Sequence, residues 1–168
     1  MTVIDYNGAD FWSVEQVMSR YVDYVKKYQI DVQRDLKPIV HSKADKSWIY
    51  PVMDRVIEGI KAGDLACAEI GIEFIEEDQS FAFGRILKSN TARALRSVSL
   101  TEAQKERIRK RVVAMLIAGY LPREYREYAK LARKIGLGRW LNELKTQMPV
   151  NNAWADQYRL YFEEHANH

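Results

Sequence analysis

Residues 101–136 read TEAQKERIRKRVVAMLIAGYLPREYREYAKLARKIG, and their spacing sets the fold class. Thr101 and Gln104 stand at capping-box spacing, where a hydroxyl and an amide satisfy backbone N–H groups at a helix start. Ile108, Val112, Met115 and Leu116 then recur at helical spacing. Gly119 ends that run as glycine commonly does, by taking a left-handed conformation. Pro122 sits where a first helical turn tolerates proline. Tyr125, Tyr128, Ala129, Ala132 and Ile135 make a second apolar face, which stops at Gly136. The short link between Gly119 and Pro122 predicts that these two helices pack antiparallel.

The same grammar extends outward. Ser13 and Gln16 repeat the capping-box spacing ahead of Val14, Val17, Met18, Tyr21, Val22, Val25 and Tyr28. Asp31 to Lys46 holds Pro38, His41 and a polar Ser-Lys-Ala-Asp-Lys run, and reads as a short helix followed by a loop. A helix from about Ser47 to Ala62, with Pro51 in its first turn, carries Val52, Val56, Ile57 and Ile60 and ends at Gly63. Asp64 caps the next, through about Glu77. Another spans about Phe81 to Val98, a short one surrounds Trp140, Leu141 and Leu144, and a last runs from about Asn152 to His165 with Trp154, Tyr158, Tyr161 and Phe162.

With four Pro and eight Gly set mostly between periodic runs, the 168 residues predict an all-α protein: one domain of about eight helices. Residues 1–46 form a capping helix and loop, 47–147 two three-helix units, and 148–168 a C-terminal capping helix. The two units come from an internal similarity. Ala62-Gly63-Asp64-Leu65 parallels Ala118-Gly119-Tyr120-Leu121 at an offset of 56, and Val52, Arg55, Val56, Ile57 and Ile60 meet Ile108, Arg111, Val112, Val113 and Leu116. Antiparallel helical hairpins stacked this way resemble a short HEAT or armadillo α-solenoid at the level of architecture. No diagnostic motif of those families is present, and an irregular bundle is the alternative.

Cys67 is the only cysteine, which fits a reducing compartment and reads as a small buried residue. The N-terminus shows no basic segment followed by an apolar run, and nowhere do eighteen apolar residues run together. A cytoplasmic protein without membrane insertion is expected.

Charge is what points toward function. Residues 81–139 hold fifteen Lys/Arg against four Asp/Glu, whereas residues 1–80 hold nine against fifteen. Such segregation predicts a surface that attracts anions. Arg107, Lys110 and Arg111 belong to the first basic helix, whose cations wrap most of its circumference. Arg123, Arg126, Lys130, Arg133 and Lys134 form a stripe on the second, opposite its tyrosine and alanine face. Together they predict one basic ridge. Such a ridge binds phosphates by counterion release, and Tyr125 and Tyr128, if exposed, could stack on unpaired bases. Set against this, Glu102, Glu106, Glu124 and Glu127 can neutralise part of it.

Glu69, Glu73 and Glu76 share one helix face as an acidic strip. Grouped carboxylates can hold a hard cation, but no Glu-x-x-His pattern accompanies them, so the strip reads as a surface paired with Arg85, Lys88 or Arg93, and no metal is expected. His41, His165 and His168 are isolated or terminal. The chain lacks a Walker loop, G-x-G-x-x-G, G-x-S-x-G and H-E-x-x-H, so neither an enzyme nor a cofactor is expected. The sequence thus predicts a non-enzymatic helical binding module. Its basic surface meets an acidic protein surface or another copy of itself, the acidic half docking on the basic half. The alternative partner is RNA or DNA, held through phosphates.

Overall fold

In the computed structural model, which describes residues 1–77, 83–147 and 152–166, eight α-helices accompany one small sheet among the described residues. The chain divides into two compact units, Met1–Val98 and Ser99–His168.

The first unit contains β1 (Thr2–Asp5), a 3-10 turn at Asp10–Trp12, α1 (Val14–Tyr28), β2 (Val40–Lys43), β3 (Lys46–Ile49), α2 (Val52–Lys61), α3 (Leu65–Glu76) and α4 (Gly84–Arg96). β3 lies between the other two strands. It runs parallel to β1, with Thr2 opposite Lys46, and antiparallel to β2, with Val40 opposite Ile49. The protein is therefore mostly helical, in line with the all-α expectation apart from this small sheet. Residues 31–39 form no helix, and Ser47 lies in β3 instead of opening α2, which starts after Pro51. The strands escape a reading by periodicity because each has only four residues. The hairpin between β2 and β3 also lacks the usual Asn-Gly or Asp-Gly signal, and Ala44 takes the left-handed conformation (φ 55°) in its place.

α3 is the centre of this unit and packs on α1, α2 and α4. A helix surrounded on several sides must be apolar around most of its circumference. Accordingly Ala66, Cys67, Ala68, Ile70, Ile72, Phe74 and Ile75 are all buried. Asp64 caps it by accepting from the N–H groups of Ala66 and Cys67. Two glycines allow its neighbours to approach closely. A Cβ on Gly59 would lie 2.3 Å from Cys67 Sγ, and one on Gly71 would lie 2.7 Å from Ile60 Cδ1. The expected helix start at Phe81 lies outside the described residues.

The second unit contains α5 (Glu102–Ala118), α6 (Tyr125–Ile135), α7 (Trp140–Gln147) and α8 (Ala153–Glu164). α5 is its spine and packs on the other three. The capping box of Thr101 and Gln104 is complete, and Gly119 closes α5 at φ 71°. The α5–α6 pair is antiparallel. The Tyr125 hydroxyl donates to Val112 O near the start of α6, and Arg109 donates to the carbonyls of Ile135 and Gly136 at its end. Arg109 thereby satisfies carbonyls that a helix end leaves without an intrahelical donor.

Candidate anion-binding groove

α6 separates its residues by chemistry. Tyr125, Tyr128, Ala129, Leu131 and Ala132 are buried. Arg123, Arg126, Arg133 and Lys134 are exposed on the other side, with Lys130 half-buried between them. The two carboxylates of this segment turn inward. Glu124 is 6 % exposed and Glu127 is 7 % exposed, the latter pairing with Lys130 at 3.6 Å. The outward face of α6 is therefore cationic without interspersed carboxylates. Arg123 and Arg126 form no ion pair among the described residues.

α8 presents the other wall of the site. Asn152 caps it by accepting from Ala155 N–H, and buried Ala155 and Phe162 anchor it. Trp154, Tyr158 and Tyr161 follow at spacings of four and three, along one side of the helix. Together with Gln157 they face Arg126, Ala129 and Lys130 across a groove of about 400 Å³. Trp154 is 68 % exposed. The Tyr158 ring meets that of buried Tyr125 edge-on at 4.8 Å, and the Arg133 guanidinium lies 5.6 Å from the Tyr161 ring centre. Burial raises the Tyr158 phenol above its ordinary range, against the opposing pull of Arg126. Burial likewise raises Tyr125 well above the ordinary range, so both stay neutral at physiological pH. The groove thus combines cations with uncharged aromatic surfaces.

The expected single basic ridge is narrower in the structure. The first two turns of α5 are largely neutralised. Glu102 pairs with Lys105 and Arg109, while Glu106 pairs with Arg109 and Arg139 and accepts from Trp140 Nε1 at 2.6 Å. Lys110 is exposed, and Arg107 and Arg111 are half-buried, on α5; none of the three lines the groove. Tyr125 and Tyr128 need correction as stacking residues. They are 0 % and 2 % exposed, because a helix with one cationic face must turn its rings into the core. The groove aromatics instead come from α8, where the sequence reading places Trp154, Tyr158 and Tyr161 on a capping helix and gives them no site role. The available signal was that α8 carries more aromatics than one buried face can absorb.

The acidic strip is also rearranged. Its partners come from α1 and the turn before it, rather than from α4 alone. Tyr28 donates to Glu69 at 2.5 Å, Tyr24 donates to Glu73, Arg20 pairs with Glu73 at 2.5 Å and with Glu77 at 3.6 Å, and Trp12 Nε1 donates to Glu77 at 2.7 Å. Each step of four back along α1 matches a step of four forward along α3, the register of two antiparallel helices. The ladder with α1 runs through Glu69, Glu73 and Glu77, and Glu76 is half-buried. Of the predicted α4 partners, Lys88 donates to the Glu77 carbonyl at 2.6 Å. Among the described residues, no group of three or more His, Cys, Asp or Glu side chains is arranged to hold a metal ion. His41 stacks on Trp48, His165 Nδ1 lies 2.7 Å from Tyr161 O, and His168 falls outside the described residues. No helix among those described is long and apolar enough to cross a membrane.

Comparison with protein families, curated proteins and solved structures finds no match to this chain.

Proposed function

We propose that this protein is a non-enzymatic binding module that takes an anionic partner on the outer face of α6. One observation carries the reading. Arg123, Arg126 and Arg133 are exposed on that face, while Glu124 and Glu127 of the same segment turn into the protein. Cations arranged in this way gain affinity for a polyanion by releasing its counterions and need no deep pocket to do so. An acidic protein surface and a nucleic acid both satisfy this requirement.

Docking of a second copy through the acidic strip is less well supported. Glu69 is 5 % exposed, and Glu73 is held by Arg20 and Tyr24. Those carboxylates serve the α1–α3 interface and are poorly placed to meet another molecule. The solenoid reading belongs to the same proposal. It is supported by three consecutive helices in each unit, α2–α4 and α5–α7, whose third members open 56 residues apart at Gly84 and Trp140.

The test is the triple variant Arg123→Ala, Arg126→Ala, Arg133→Ala in the full chain. Binding to heparin, polyglutamate or an oligonucleotide at low salt should fall at least tenfold, with circular dichroism unchanged. Undiminished binding to every polyanion would overturn the proposal.

A further inference from the structure

We infer that the groove between α6 and α8 takes single-stranded nucleic acid, with a base stacked on Trp154 and phosphates held by Arg126. The inference rests on the reading of α6 above and adds the identity of the partner. Cations alone cannot distinguish a carboxylate-rich surface from a phosphate backbone. The aromatic wall can. Trp154 keeps 68 % of its surface in water, although burying such a ring is among the larger stabilising gains open to a side chain. It stands in a cleft whose other wall carries Arg126 and Lys130.

A carboxylate side chain offers no flat apolar face to cover an indole, whereas every nucleobase does. Stacking platforms beside a charged track are how proteins hold unpaired strands without reading their sequence. A duplex keeps its base faces stacked internally and cannot use the platform. The volume of about 400 Å³ lies in the range of ligand-sized clefts. Among the described residues that line the groove, Gln157 carries the only side-chain amide, which gives little basis for reading base edges and predicts tolerance of sequence.

The experiment titrates the full chain at low salt with a labelled twelve-residue oligouridylate, a duplex of equal length and polyglutamate. The same titrations follow for Trp154→Ala, for Trp154→Phe and for the triple arginine variant. Trp154→Ala should weaken single-strand binding about 5- to 100-fold, the scale of one stacked base, and leave polyglutamate binding unchanged. Trp154→Phe should recover part of the loss, because it restores a ring without restoring the indole. Quenching of tryptophan fluorescence by the oligonucleotide should shrink in both variants. If Trp154→Ala binds the single strand as tightly as wild type, the groove is not its site and the inference is overturned, while the α6 reading stands. Tighter binding of polyglutamate or of duplex than of single strand overturns the inference in favour of that partner. No binding of any of the three by wild type overturns the α6 reading itself.

Discussion

Gly59 and Cys67 show how a single residue sets the spacing of two helices. The missing Cβ of Gly59 leaves room for the Cys67 side chain, which is fully buried between α2 and α3. Gly59→Ala should therefore destabilise the protein by about 1–3 kcal/mol, the usual cost of overpacking, despite the better helix propensity of alanine. Removing Sγ should relieve part of that clash. The double variant Gly59→Ala, Cys67→Ala should accordingly lose less than the two single losses combined, and urea denaturation of the four proteins measures the difference. Strict additivity would show that the two groups do not compete for space. The same burial pushes the Cys67 thiol up to about 12 and keeps it protonated, so it should resist alkylation at pH 8 until the protein unfolds. The sequence could suggest a buried cysteine. It could not place Gly59 against it, because that contact depends on how α2 turns back along α3.

Helices were legible where their ends carried chemistry, as the cap at Asp64, the box at Thr101 and the stop at Gly119 illustrate. The strands were not, since four-residue segments show no period and β1 finds β3 only after a long excursion through α1. Contacts between helices were legible only as faces. Glu69 and Glu73 were visible as neighbours, but their partners Arg20, Tyr24 and Tyr28 become apparent only when α1 is laid antiparallel on α3. The groove was half legible for the same reason: the cations of α6 stood out by charge, whereas Trp154 was one aromatic among several on a capping helix. Glu106 offers a test of one such tie, because it holds α7 to α5 through Trp140 and Arg139. The Trp140 hydrogen bond, followed by that from Arg139, lowers its carboxyl below the ordinary value of 4.5. A carboxyl depressed in the folded state stabilises fully above its unfolded pKa, and that stabilisation fades as pH falls through the folded value. Glu106→Gln should therefore lower Tm at pH 6–7, and the gap from wild type should narrow as the pH approaches 3. Melting curves separated by a constant interval across that range would contradict the tie.

For the whole molecule, the question is whether net charge or its local arrangement governs binding. Ser99–His168 contains thirteen Lys/Arg and eight Asp/Glu, whereas Met1–Val98 contains thirteen and fifteen, so the positive excess belongs to the second unit. Within that unit the cations differ in their surroundings. Arg139 has a side chain 78 % exposed, yet it is paired with Glu106 at 2.8 Å and lies against the Trp140 ring. Arg126 is exposed, lines the groove and has no ion pair among the described residues. Replacing either with alanine removes one positive charge from the formula. Counterion release, however, counts only cations that approach the phosphates, and each contributes roughly 0.7 to the slope of log K against log salt on a single strand. Arg126→Ala should reduce that slope by about 0.7, and the triple variant with Arg123 and Arg133 by about 2. Arg139→Ala should leave it nearly unchanged, because Arg139 is not among the residues lining the groove and the Glu106 carboxylate already neutralises that guanidinium. Fluorescence anisotropy with oligouridylate between 20 and 200 mM salt gives all four slopes. Equal reductions for Arg126→Ala and Arg139→Ala would mean that the protein attracts its partner through total charge, with no particular role for the face of α6.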